Sequence, residues 1–234
     1  MAGMDPGHRK ANLFLDQLVG AEICFSGAYT PKQMEKALDN AYSEWKERGR
    51  NPYIVPIGGS NGLGTLGYVD AYQELGEHDF DWIVVTAGSG GTYAGLALGV
   101  LLDQHNKQTK LLGFSPWLEK QEIEKRVHQC MEQASELLPA EQKETIVALS
   151  FDRHERLLLD DQYIGSGYGR ITPEASEAIR LFAQKEAILL DQVYTGKAMA
   201  GMLDYIQKGI IQPKEKVLFW HTGGAPGLFA LDQI

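Results

Sequence analysis

The stretch Asp81–Gly95, DWIVVTAGSGGTYAG, leaves the chain few ways to fold. Ile83, Val84 and Val85 form a short β-branched run that suits a buried parallel strand; Ala87 to Gly91 is almost all backbone, and Thr92 to Leu102 reads as a helix. A strand, a glycine turn and a helix start in that order present unblocked N–H groups with the positive end of a helix dipole behind them. The hydroxyls of Ser89 and Thr92 can add donors. The fitting guest is a phosphate ester, and the structural alternative is close strand-to-helix packing alone.

Two nucleotide motifs are disfavoured. The dinucleotide fingerprint needs a third glycine where this chain has Tyr93, and no acidic residue follows at the ribose distance. Gly59 to Gly64 imitates the spacing of a P-loop, but Thr65 follows Gly64 directly with no lysine between them. A small phosphate on a cofactor or metabolite survives. A net charge of -9 with scattered Lys and Arg argues against a nucleic-acid surface, and no apolar run reaches membrane length. Cys24 and Cys130 form no C-x-x-C pair and lie in no metal-ligand cluster, so no metal is expected and a reduced, cytoplasmic setting is the default.

Around this centre, strands and helices alternate. Residues 1–10 read as a tail or cloning remnant without a secretory segment. Ala11 to Gly20 suits a short amphipathic helix and Glu22 to Ser26 a strand. Thr30 and Pro31 open a helix, with Glu35 in reach of the cap and Met34, Ala37, Leu38, Ala41 and Trp45 as its stripe. Pro52 to Ile57 reads as a strand, and the glycine-rich turn near Ser60 divides a partial small domain, 11–60, from a large one, 61–234. Further strands are expected at Leu111–Ser115, Ile146–Phe151 and Val217–Trp220. Helices are expected at Leu118–Leu138, after Thr172-Pro173-Glu174, and at Tyr194–Gln207; Asp152–Asp161 reads as a charged surface connection. The class is α/β, with a mostly parallel sheet covered by helices on both faces.

Four motifs in order, TAGSGGTYAG, YIGSGYGRITPE, LLDQVYTGKAMAGM and LFWHTGGAPGLFA, resemble the pyridoxal phosphate enzymes that include D-cysteine desulfhydrase and 1-aminocyclopropane-1-carboxylate deaminase. The resemblance runs from about Asn12 to Ile234. It implies fold type II, pyridoxal phosphate as cofactor, a small amino-acid substrate and subunits that pair as homodimers. By resemblance, Gly88, Ser89, Gly90, Gly91 and Thr92 hold the cofactor phosphate, Tyr194 lies against the pyridine ring, and Tyr168 is a second active-site tyrosine. Either tyrosine could instead be a core aromatic with its hydroxyl satisfied.

Two cofactor-side positions speak to substrate. The deaminases of the family look to carry Glu where this chain has Thr195, facing the pyridine nitrogen, and Leu where it has Thr222. A carboxylate keeps that nitrogen protonated and the ring a strong electron sink, which opening a cyclopropane requires; expelling a thiol tolerates a weaker one. The resemblance therefore favours desulfhydrase over deaminase. Helix capping by the two threonines is compatible with that role.

The family's cofactor lysine belongs to an N-terminal segment that these residues do not match, so the chain reads as N-terminally incomplete. Of its own lysines, Lys107 follows Asn106 in a charged connection, and Lys197 suits an ion pair or a solvent-facing position. His221 suits a strand-end hydrogen bond. The expectation is a chain with little or no desulfhydrase activity by itself, its unpaired edges promoting association. A non-catalytic phosphate-binding remnant is the alternative from another class.

Overall fold

The computed structural model describes residues 3–143 and 154–231. The chain forms two compact units, one of the residues up to Pro56 with the segment from Pro226, the other from Ile57 to Ala225. Among the described residues no helix is long and apolar enough to cross a membrane.

The first unit carries α1 (Ala11–Leu18) and α2 (Pro31–Glu47). Thr30 caps α2 in a reciprocal box with Gln33, whose side chain accepts from the Thr30 N–H at 3.1 Å; Glu35 plays no part in it. The expected strands Glu22–Ser26 and Pro52–Ile57 do not form: both stretches are irregular, and a short 3-10 turn, Ile57–Gly59, follows the second. Their alternating apolar residues have no neighbouring ladder to join, and Tyr53, Val55 and Ile57 stay exposed.

The second unit is built on a four-stranded sheet of β1 (Trp82–Thr86), β2 (Lys110–Phe114), β3 (Leu157–Asp160) and β4 (Val217–Trp220), in spatial order β3-β2-β1-β4. Every pairing is parallel, with Val84 opposite Leu112 on one side and Phe219 on the other. Strand β3 lies inside the stretch read as a surface connection. Its three leucines pair with β2, and its half-buried edge position tolerates the flanking charges that disguised it. Ile146–Phe151, expected as a strand, lies outside the described residues.

Helices α3 (Gly62–Gln73), α4 (Gly91–Leu102) and α5 (Lys120–Leu137) cover one face. There Ile83, Val85 and Leu111 join Leu96, Leu98, Ile123 and Met131 in one core. Helix α4 is apolar all round because it lies between the sheet and its neighbours, and almost its whole length is buried. Gly99 makes the α3–α4 approach possible, since a β-carbon there would stand 2.4 Å from the Tyr72 ring. Helices α6 (Pro173–Glu186) and α7 (Thr195–Gln207) follow. Gly201 of α7 meets the ring of Phe114, whose edge-to-face partners are Tyr163 and Tyr205.

Candidate active site

The strand order places a crevice. The chain steps from β1 to β2 to β3 in one direction, and β4 returns on the far side of β1. Loops leaving β1 and β4 therefore part at the carboxyl edge of the sheet, where open α/β sheets bind their ligands.

The loop leaving β1 is Ala87–Gly90, and α4 begins on it with Gly90 as N-cap at φ 98° and no side-chain cap. Its first turn thus offers main-chain N–H groups to an anion. The Gly91 N–H points at Ser60 Oγ, 3.3 Å away, and Ser60 Oγ lies 2.7 Å from Ser89 Oγ. A β-carbon on Gly91 would stand 2.8 Å from Ser60 Oγ, so glycine lets the helix start approach Ser60 this closely. Thr92 is half-buried at the same helix start. Ser60, at the turn that the sequence places between the two domains, contributes a hydroxyl beside that of Ser89.

Tyr194 closes one side. A β-carbon on Gly88 would lie 3.4 Å from Tyr194 Cε1, which puts the flat ring directly against the cradle's first glycine. The Tyr168 and Tyr194 hydroxyls are 2.7 Å apart, and Tyr168 stacks edge-on against Trp117 at 5.6 Å between centroids. Burial, and then the bond to Tyr168, push the Tyr194 phenol well above the ordinary tyrosine range. It holds its proton at neutral pH.

Asp191 sets where α7 begins. Its buried carboxylate accepts from the N–H groups of Val193 at 2.8 Å, Tyr194 at 2.9 Å and Thr195 at 2.8 Å, and from Thr195 Oγ1 at 2.7 Å. The Thr195 hydroxyl in turn accepts from the Asp191 N–H. Its single proton is committed to the carboxylate, and Thr195 is 0% exposed, so its hydroxyl is spent inside the protein at the start of α7. Gly224, after β4, backs onto the same carboxylate: a β-carbon there would lie 2.6 Å from Asp191 Oδ1. Thr222 stands exposed two residues earlier. His221 does end its strand in hydrogen bonds: Nδ1 accepts from Gly223 N at 2.9 Å, which leaves Nε2 to donate to the Leu189 carbonyl at 3.1 Å.

Lys197 is neither ion-paired nor solvent-facing. It is 1% exposed, and its ammonium donates to the carbonyls of Pro116 at 3.0 Å, Ile164 at 2.7 Å and Gly167 at 3.1 Å. No sequence pattern announces a cage of carbonyls. Among the described residues no cluster of His, Cys, Asp and Glu could hold a metal ion.

A parallel α/β sheet with a glycine-lined helix start at its switch point and an aromatic ring beside it is the arrangement in which open α/β folds hold phosphorylated ligands. The chain belongs to the family of pyridoxal-phosphate dependent enzymes, whose model matches residues 2–223. It is 36% identical over 226 residues to a putative 1-aminocyclopropane-1-carboxylate deaminase of Pyrococcus furiosus, matching 94% of this chain and 64% of that protein. A D-cysteine desulfhydrase of Klebsiella pneumoniae is 38% identical over 198 residues, matching 82% of this chain and 56% of the relative. The chain thus spans less than two thirds of the length of these relatives. Among solved structures, a 1-aminocyclopropane-1-carboxylate deaminase homologue superposes with a TM-score of 0.82 at 35% identity, covering 98% of this chain and 66% of the other. The processed form of a threonine deaminase from Solanum lycopersicum shares the fold, with a TM-score of 0.52 at 16% identity. The architecture is that of fold type II, and the family's cofactor is pyridoxal phosphate. The donor set suits its phosphate: Gly90 brings no side-chain cap to the first turn of α4, and the Ser60 and Ser89 hydroxyls lie 2.7 Å apart beside it.

Proposed function

We propose that this chain forms the cofactor-holding part of a lyase of the D-cysteine desulfhydrase type, which converts D-cysteine and water to pyruvate, sulfide and ammonia. Pyridoxal phosphate, when bound, supplies the electron sink that acidifies the substrate α-carbon and lets the β-thiol leave. The N–H groups at the start of α4, with the Ser89 and Thr92 hydroxyls, hold the phosphate. The Tyr194 ring presents a flat face beside Gly88, and its hydroxyl, joined to that of Tyr168, keeps a proton at the substrate side. Asp191 orients Thr195 at the start of α7.

The observation that carries the choice of substrate is Thr195. A neutral hydroxyl stands where the deaminases look to carry a carboxylate, and its proton is already given to Asp191. Thiol elimination tolerates that arrangement better than ring opening does. The second reading, deamination of 1-aminocyclopropane-1-carboxylate, is favoured by the Pyrococcus relative and the 0.82 superposition.

Stable phosphopyridoxyl conjugates separate the two. The purified chain is titrated with phosphopyridoxyl-D-cysteine and with phosphopyridoxyl-1-aminocyclopropane-1-carboxylate, following conjugate fluorescence. Binding of the D-cysteine conjugate about tenfold tighter, a difference of about 1.4 kcal/mol, is expected. The reverse preference would establish the deaminase reading. Failure of both conjugates to compete with inorganic phosphate would overturn the cofactor-holding role.

A further inference from the structure

A buried ammonium without a carboxylate partner is unusual, because burial costs a charged group its hydration. Lys197 is such a group. Its hydrogen-bond partners are main-chain carbonyls, two from the loop ahead of Tyr168 and one from the turn ahead of Trp117. A neutral amine has only two protons to give, whereas three carbonyls converge here, so the cage selects the charged form. Burial pulls this amine below the ordinary lysine range, and the Asp191 carboxylate acts against that pull.

The residues that supply the cage adjoin the residues that line the site. Pro116 precedes Trp117 and Gly167 precedes Tyr168; Trp117 packs edge-on against Tyr168, and the Tyr168 hydroxyl meets that of Tyr194. Lys197 itself lies three positions after Tyr194, in the first turn of α7. One cation therefore joins both aromatic loops to the helix that presents Tyr194. A ring of main-chain carbonyls is also the donor set that binds potassium by replacing its hydration shell.

We propose that Lys197 is a positioning residue that acts as a built-in monovalent cation, its ammonium filling a carbonyl cage and thereby setting the Tyr168–Tyr194 pair. The side chain is spent on this task and is not an amine for attaching the cofactor. The inference does not depend on which substrate the family member takes, and its test needs neither cofactor nor turnover.

The test compares wild type, Lys197→Ala and Lys197→Met in lithium, potassium and ammonium chloride at equal ionic strength. Thermal midpoint and tryptophan emission are followed, with Trp117→Phe versions to assign the emission. Wild type should be indifferent to the cation. Lys197→Ala should lose the Trp117 signature in lithium and regain it in potassium or ammonium, with a saturable rise in midpoint of about 5 °C. Lys197→Met, whose neutral side chain occupies the cage, should lose the signature in every salt. A Lys197→Ala protein that behaves alike in all three salts, or that folds in none, overturns the proposal, as does a Lys197→Met protein with the wild-type signature. A purely structural lysine would give losses that no cation restores.

Discussion

The hydroxyls of Tyr168 and Tyr194 lie 2.7 Å apart although 26 residues separate them, and the ring of Tyr194 also lies against Gly88 in the loop after β1. The pair links the loop after β3 to the start of α7 at the mouth of the crevice. Burial is the first cause that raises the Tyr194 phenol and the bond to Tyr168 the second. Tyr168→Phe should therefore bring the Tyr194 titration down while leaving it above the ordinary tyrosine range. An ultraviolet phenolate difference titration, with Tyr194→Phe to identify the group, reads the shift. An unchanged titration would mean that the bond does not form in solution.

Gly91→Ala places a methyl group 2.8 Å from Ser60 Oγ, at the helix start proposed to hold the phosphate. The first turn of α4 must move or Ser60 must turn away, and either displaces the donors proposed for the phosphate. Affinity for pyridoxal phosphate, measured by equilibrium dialysis, should fall by about tenfold to a hundredfold. Unaltered affinity would place the phosphate elsewhere.

Asp191 gathers four hydrogen bonds at the entry to α7. Asp191→Ala leaves those donors buried without an acceptor and should destabilise the protein by about 2–4 kcal/mol, read from urea denaturation. Asp191→Asn keeps one acceptor oxygen and should cost less. If the alanine variant proves the more stable of the two, the carboxylate is not what holds the helix start.

Acid should weaken the fold through Asp103. Burial works to raise this carboxyl, but the N–H groups of Asn106 and His105 and the Tyr72 hydroxyl, 2.8 Å away, outweigh it and hold the group below the usual range. A depressed native value contributes stability that is complete above the unfolded pKa of about 3.9 and is lost as pH falls through the native one. Asp103→Asn should therefore flatten the acid limb of a stability-against-pH curve from about pH 4 downward. An acid limb as steep as that of wild type would assign the loss to other carboxylates.

What was legible in the sequence was local. The run IVVT, the glycines after it and the apolar residues from Tyr93 onward specify a strand, an open turn and a buried helix, because period, β-branching and backbone freedom act over a few residues. Thr30-Pro31 and Thr172-Pro173 mark helix starts for the same reason. Only the tertiary structure decided how polar side chains were satisfied. Ser60 meets Ser89 across 29 residues, Lys197 finds the carbonyl of Pro116 across 81, and the three leucines of β3 form a strand only because β2 offers them a ladder. A serine, a lysine or a short leucine run has the same local character wherever it occurs. Its partner is chosen by the order in which the strands assemble, which places the carboxyl ends of β1 and β4 beside the start of α7.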